Sequence, residues 1–505
     1  MRRRVLVLIG IFCWVSTMAE KPNVLVILAD DIGLGDISYY RSKHSQNLIV
    51  QTPTIDKIAQ EGMAFTNAHS PAGLCAPSRY AIMTGNNTYR SYKPWGVWGS
   101  YQRSPIEKED ITLGQLMKSV GYQTAFFGKW HIGGDFKRKS NPNEVYRSNN
   151  RKREVDVDIS QYVGGGPSFQ GFDYDFTYPA GIQDAPYAVF ENGKWYPLDK
   201  NSKIEFLSYL EAEKKGLILD KEEGLADTEW DSRKMGPLLA KKAVDYIHSH
   251  SQKKEPFFIY YSSEAVHRPH TPPVSINGKK IKGSTPSPHL DMVKELDQQV
   301  AMLIDALKEN GVYDNTLIIF TSDNGGLKVK ESIRAGHNSS DIYRGSKNST
   351  FEGGHRVPFI VSWPKMIESG ITSSEAIQGN DIMATLAALH NTSIPSHQAL
   401  DSYNFLPILI NEKEAKGRDF MVLQGGSDKR GTLIENGWKL IVQFDKKDKS
   451  DQTRTPLMLF NLNEDVKEKN NLIDQPEQQE RIKSMFAKFN QYRDSKKRST
   501  APIKF

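Results

Sequence analysis

Asn23-Val24-Leu25-Val26-Ile27-Leu28-Ala29 is an uninterrupted apolar, β-branched run that stops at Asp30-Asp31. Alternation of apolar and polar residues would describe a strand with one wet face. A continuous run describes a strand covered on both faces, as in parallel sheets sandwiched between helices. The pattern recurs at Tyr122 to Phe127, Pro256 to Ser262, Thr316 to Thr321 and Val357 to Trp363. Helical segments fall between these runs. Thr54 to Glu61 is framed by Pro53 and Gly62, and Thr112 to Val120 opens with a capping box, Thr112 and Gln115, and is followed by Gly121. His289 to Asn310 carries a helical apolar stripe through Val293, Leu296, Val300, Leu303 and Leu307. This order predicts an α/β fold, a large, mostly parallel central sheet flanked by helices.

The two ends read differently. After residue 415, Thr432 to Glu435, the pair Asn436-Gly437 and Trp438 to Phe444 form a hairpin with a favoured turn dipeptide. Leu457 to Leu462 is a further strand and Pro476 to Tyr492 an amphipathic helix, so residues 416–505 are expected to form a small antiparallel subdomain with a terminal helix, and residues 20–415 the large α/β domain. Arg2-Arg3-Arg4, the apolar stretch Val5 to Val15 and Ser16-Thr17-Met18-Ala19 describe a secretory signal over residues 1–19. The chain is therefore expected to be exported, periplasmic or secreted.

Composition excludes several classes. With 8 Trp, 21 Tyr and 22 Phe in 505 residues, disorder is disfavoured. No run is long enough for a membrane span. Without Arg2, Arg3 and Arg4 the chain has 63 basic against 60 acidic residues, too even to argue for nucleic acid. Its two cysteines, Cys13 in the signal and Cys75 in the mature chain, exclude a disulfide scaffold.

The lone mature cysteine stands in Cys75-Ala76-Pro77-Ser78-Arg79, followed by Thr84-Gly85. Read alone, this is a helix start with Pro77 in the first turn. Asp30-Asp31 and Asp323-Asn324-Gly325 each follow a buried strand, and in an open α/β sheet such tips share one crevice. Carboxylates with an amide oxygen suit a hard divalent cation, Ca²⁺ more than Zn²⁺. Gly128-Lys129-Trp130-His131, Ala265-Val266-His267 and Arg344-Gly345-Ser346-Lys347 supply further charged and titratable groups. Together these segments resemble the formylglycine-dependent sulfatases, whose signature is Cys-x-Pro-Ser-Arg with a Thr-Gly downstream. The resemblance spans the mature chain as far as Leu459-Phe460-Asn461-Leu462 and Asn470-Asn471-Leu472. His355 departs from it, because many relatives carry an apolar residue there.

The resemblance implies an alkaline-phosphatase-like fold and a sulfuric ester hydrolase. It implies that Cys75 is oxidised to formylglycine by a formylglycine-generating or sulfatase-maturing enzyme. Asp30, Asp31, Asp323 and Asn324, with residue 75, would hold one Ca²⁺. Cys75, Arg79, Lys129, His131, His267 and Lys347 would be the catalytic set, with Lys129 on the sulfate, His131 beside the nucleophile, and a protonated His267 with Lys347 at the leaving oxygen. The residue types suit sulfuryl transfer, which asks chiefly for positioning and charge neutralisation. A phosphomonoester or phosphonate hydrolase of the same superfamily, an aryl-sulfate-specific sulfatase and a non-catalytic sulfated-glycan binder are the other readings.

Tyr89, Tyr92, Trp95, Trp98 and Tyr101 crowd the segment after the signature. Aromatic faces suit sugar rings, so Tyr92, Trp95 and Trp98 are expected to bind substrate. Lys137 to Arg153 holds seven basic residues against one acidic, Glu144, and would attract a polyanion if it overhangs the site. The expected partner is thus a sulfated carbohydrate, an algal polysaccharide or its oligosaccharides.

Overall fold

A computed structural model describes residues 20–147, 154–426, 428–448 and 450–495. The signal segment, residues 1–19, lies outside the described residues, as does the end of the basic stretch, residues 148–153. The large sheet has ten strands: β1 (Asn23–Ala29), β2 (Met63–Phe65), β3 (Gln123–Lys129), β4 (Tyr174–Ile182), β5 (Val189–Glu191), β6 (Lys194–Tyr196), β7 (Phe257–Ser262), β8 (Thr316–Ser322), β9 (Phe359–Ser362) and β10 (Ile371–Ser373). Their spatial order is β10-β2-β9-β8-β1-β7-β3-β4-β5-β6. The central strands β8, β1, β7, β3 and β4 are mutually parallel, whereas β9 and β5 run antiparallel to their inner neighbours. The sheet is therefore mixed, with a parallel heart.

Alternation along β1 divides the core. Val24, Val26 and Leu28 face α2 (Cys75–Thr84), α3 (Leu113–Ser119) and α6 (Asp381–Leu389) through Tyr80, Met117 and Leu386. Leu25, Ile27 and Ala29 face α1 (Pro53–Gln60), α4 (Met235–His250) and α5 (Pro288–Glu309) through Ile58, Leu239 and Val300. A one-residue slip of β1 would exchange these sets, so packing on both faces fixes the register. The capping box of α3 forms as the sequence expects: Gln115 N donates to Thr112 Oγ1 (3.2 Å), and Thr112 N to Gln115 Oε1 (3.0 Å).

The C-terminal sheet is β11 (Phe420–Gln424), β12 (Arg430–Glu435), β13 (Trp438–Phe444) and β14 (Arg454–Asn461), all antiparallel. The turn residues Asn436 and Gly437 both take positive φ, 50° and 76°, the backbone that a two-residue hairpin of this hand needs. Val422, Leu440 and Leu459 of this sheet pack on Ile482, Met485 and Phe489 of α7 (Gln479–Asp494). Among the described residues no helix is long and apolar enough to cross a membrane.

Candidate active site

Because β8, β1, β7, β3 and β4 are parallel, their carboxyl ends open on one edge. Asp323, Asp30, Ser262, Lys129 and Gln183 stand at or just beyond those ends. Cys75 reaches the same place as the first residue of α2, preceded by Leu74 in extended conformation. The sequence dictates this entry. Ser78 Oγ donates to Ala72 O (2.8 Å) and accepts from Ala72 N (3.1 Å), closing the turn before the helix. Pro77 sits in the first turn, where its missing N–H costs nothing. Arg79 follows Cys75 by one helical turn and so shares its face. The helix ends at Gly85, left-handed at φ 71°, where a Cβ would lie 2.6 Å from that of Ala399, which explains the Thr-Gly of the motif.

The site is closely knit. Cys75 Sγ lies 3.4 Å from His131 Nδ1. Arg79 Nε donates to Asp323 Oδ2 (2.9 Å), and its Nη1 donates to Lys129 O (3.0 Å) and to Ser262 Oγ (2.6 Å). Lys129 Nζ donates to Asp30 Oδ2 (2.6 Å) and Gln183 Oε1 (2.8 Å). Lys347 Nζ meets the Asp31 carboxylate at 2.7 Å, and His267 Nε2 is 3.8 Å from the same group. Asp31 and His131 have φ of 65° and 55°, a left-handed backbone that non-glycine residues adopt only where surrounding structure holds them. Every residue of the expected catalytic and metal sets is thereby brought into one cluster.

Burial sets the electrostatics. Asp30 feels burial pushing it up, but Lys129 and Arg79 hold it down at about 2. Asp323 goes the other way: burial lifts it to about 7, Arg79 opposing and the Asp30 and Asp31 carboxylates adding to the rise. Burial, with Lys129 nearby, depresses His131 well below the usual imidazole range, and burial with Lys347 and Lys129 does the same to His267. Burial thus works against the protonated His267 expected from the sequence. Lys347, desolvated but facing Asp31, is held protonated, its pKa raised.

Ligating oxygens of Asp30, Asp31 and Asp323 lie within 4.8 Å of one another. Asp30 Oδ1 and Asn324 Oδ1 are buried without a hydrogen-bond donor, the condition of an acceptor awaiting a cation. This all-oxygen donor set fits a hard ion such as Ca²⁺.

The aromatic expectations need correction. Trp98 is wholly buried against Tyr80, so it presents no face to a ligand. Trp95 stacks edge-on with Phe444 and donates from Nε1 to Asp451 (2.7 Å), serving the contact with the C-terminal sheet. Tyr101 is buried too. Tyr92 keeps an exposed ring with Arg103 over one face. In the basic stretch, Arg138 pairs with Asp156 (2.9 Å) and Arg147 with Asp135, so part of that charge is compensated locally. Ser262 and Gln183 are site residues that the sequence reading missed. Ser262 closes a strand it had identified, so the strand-end rule that found the aspartates would have found it too.

Family comparison agrees with this arrangement. The sulfatase model matches residues 22–392, and that of the N-sulphoglucosamine sulphohydrolase C-terminal region matches residues 346–495. The chain belongs to the sulfatase family, and it is a sulfuric ester hydrolase with the alkaline-phosphatase-like fold. An N-acetylgalactosamine-6-O-sulfatase of Bacteroides thetaiotaomicron is 30% identical over 497 residues, 90% of each chain. Arylsulfatase A of Bos taurus is 29% identical, covering 90% of this chain and 84% of its own. A solved B. thetaiotaomicron sulfatase, described with that organism's metabolism of multiple glycosaminoglycans, superposes with a TM-score of 0.78 at 26% identity, over 94% of this chain and 100% of the other.

Proposed function

We propose that the protein is an exported, formylglycine- and Ca²⁺-dependent sulfatase of sulfated carbohydrates, matured at Cys75 by a formylglycine-generating or sulfatase-maturing enzyme. The observation that carries the reading is the juxtaposition of Cys75 Sγ with His131 Nδ1 at 3.4 Å, over a carboxylate cluster to which Arg79 is tied. Residue 75, Asp30, Asp31, Asp323 and Asn324 would hold the cation. When bound, the cation supplies positive charge against the sulfate oxygens, and formylglycine supplies the attacking hydroxyl.

The chain's own residues account for the rest. The Asp30, Asp31 and Asp323 carboxylates are matched by Arg79, Lys129 and Lys347, so a dication's charge is left to meet the anionic ester and the developing negative charge. Arg79, tied to Asp323, sets its positive charge near residue 75. Lys129, pinned by Asp30 and Gln183, presents its charge to sulfate with little freedom to lose. His267 Nε2 and Lys347 Nζ converge on Asp31, and the leaving oxygen takes its proton from this pair, a bound anionic ester favouring the imidazolium. His131 Nδ1 receives the proton that residue 75 must later give up.

The similarity to an N-acetylgalactosamine-6-O-sulfatase makes 6-sulfated N-acetylgalactosamine the first substrate to test, with sulfated algal galactans next. A desulfation screen over defined sulfated saccharides, run with a phosphate monoester in parallel, tests the proposal. Sulfate release with aldehyde at residue 75 by peptide mass supports it. Faster phosphate release, or full activity with residue 75 entirely as thiol, overturns it.

A further inference from the structure

Beyond β4 the chain continues through Gln183 and Asp184, and a second segment, residues 217–223, makes contact with this stretch. Three consecutive residues tie that segment down on two sides. Asp220 Oδ1 lies 3.8 Å from Arg268 Nε, next to His267. Lys221 Nζ donates to Asp184 Oδ2 (3.1 Å). Glu222 O accepts from Tyr187 OH (2.6 Å). The segment thus bridges the His267 side of the cleft and the Lys129 side, to which Gln183 belongs. In agreement, the Lys221 ammonium contributes to the depression of both His131 and His267.

The polar groups on this bridge are incompletely used. Asp184 Oδ1, Asp220 Oδ2 and Gln183 Nε2 are all buried without hydrogen-bond partners, and Asp184 is only 5% exposed. A buried polar atom without a partner is costly, so two acceptors and a donor left open beside a catalytic cluster call for a ligand that donates and accepts. A sugar hydroxyl does both. Asp184 also accepts from the Lys221 ammonium (3.1 Å), so a ring with neighbouring hydroxyls can donate hydrogen bonds to the carboxylates and accept one from Lys221.

We infer that Asp184 and Asp220, with Lys221 between them, bind hydroxyl groups of the sugar that carries the sulfate. This rests on the sulfatase reading above and specifies how the carbohydrate, as distinct from its sulfate, is recognised. An aryl sulfate brings the same sulfate and no ring hydroxyls, so it separates the two.

The test measures kcat/KM for wild type, Asp184→Asn and Asp220→Asn, the holoenzyme being loaded with Ca²⁺. The probes are 4-nitrophenyl sulfate and whichever of the 6-sulfates of N-acetylgalactosamine, N-acetylglucosamine and galactose wild type turns over fastest. Each variant should lose about ten- to a hundredfold more on the sugar sulfate than on the aryl sulfate, the worth of one hydrogen bond to a charged group. The unsulfated sugar should inhibit the variants less well than wild type. Equal losses on both substrates, no loss on either, or a greater loss on the aryl sulfate overturns the inference. Wild type that hydrolyses the aryl sulfate and none of the sugar sulfates overturns it while leaving the sulfatase reading intact; failure on every sulfate ester overturns that reading instead. If Asp184→Asn melts early, Asp220→Asn, with its more accessible carboxylate, carries the test.

Discussion

Two buried clusters of charged and imidazole groups stand in this molecule, and they are built on opposite plans. The first gathers Asp30, Asp31 and Asp323 at the sheet's carboxyl edge; the second gathers His69, Glu352 and His355, where the catalytic domain meets the C-terminal sheet. In the second the cation is part of the chain. Lys439 of β13, fully buried, lies 2.9 Å from Glu352, 2.8 Å from Glu468 and 3.0 Å from His355 Nε2. With Lys439 donating to His355 Nε2, His355 Nδ1 donates to His69 Nδ1 (2.9 Å) and His69 Nε2 to Asn67 Oδ1 (3.0 Å), and the approach of His355 Nε2 to Thr350 O (3.2 Å) carries no proton. Burial drives His69 down to about 3, so it stays neutral. His355, to which the sequence assigns no role, thus belongs to an ion network that ties the 352–355 helix to the C-terminal sheet. At the active site, by contrast, Asp30 Oδ1, Asn324 Oδ1 and His131 Nε2 remain without partners. Glu468 Oε1 of the second cluster also lacks a hydrogen bond, but it faces the Lys439 ammonium at 2.8 Å, whereas the open atoms of the first are left for metal and substrate.

The largest effect should come from removing the nucleophile's residue. Cys75→Ala should cost about 10³-fold or more in kcat and leave melting nearly unchanged, because a thiol becomes a methyl at a helix entry and no large side chain leaves the core. Near-wild-type turnover would dissolve the contrast, making the first cluster as structural as the second. Next in size is the division of labour between the histidines. His267→Ala should lose about 10²–10⁴-fold on sugar sulfates and much less on an aryl sulfate, whose phenol leaves without a proton. His131→Ala should instead retain sulfate on the protein with either substrate, visible by intact mass. Equal losses for His267→Ala on both, with no retained sulfate in His131→Ala, would reverse these roles.

Lys439→Met probes the other plan. It strands Glu352 and Glu468 in a dry interface, which should cost about 3–5 kcal/mol of stability, read as an early calorimetric transition. At temperatures below that transition KM should stay near wild type. A thermal profile identical to wild type would mean that this network contributes nothing to the domain contact.

How far the sequence shows these features follows from which residues carry a local signal. Strands β1, β3, β7 and β8 are continuous apolar runs, and they announce the parallel heart and the aspartates at its edge. Strand β4 was invisible because Pro179 and Gly181 interrupt it. The structure tolerates Pro179 because pairing with β5 ends at Thr177, so no sheet partner needs its missing N–H. Gln183 and Asp184 follow that unread strand and were missed with it. Helix α4 begins Met235-Gly236-Pro237, a breaker pair by pattern, although Pro is welcome in a first turn. The tryptophans failed for a different reason. Ring count says nothing about which way a ring faces, and Trp98 found the core while Trp95 found the C-terminal sheet. His355, too, takes its meaning from Lys439, a residue 84 positions away.

The smallest and most discriminating prediction concerns cations and stability. A ligand that binds only the folded protein stabilises it by RT ln(1 + [L]/Kd), about 2.7 kcal/mol at a hundredfold excess over Kd. Ca²⁺ titrated into chelator-treated protein should therefore raise the melting temperature by several degrees, saturably, and Zn²⁺ should do so less, because three carboxylates and an amide oxygen make a hard donor set. Asp323→Asn should weaken the response. It removes an anionic oxygen from the cluster, and because both Asp323 oxygens accept hydrogen bonds, from Asp31 N (3.1 Å) and from Arg79 (2.9 Å), the amide also faces a donor, so the cation-free variant should melt below cation-free wild type. Lys439→Met should keep the full Ca²⁺ response on its lowered baseline, since the substitution leaves Asp30, Asp31, Asp323 and Asn324 untouched. A Ca²⁺ response lost in Lys439→Met and retained in Asp323→Asn would place the cation in the wrong cluster.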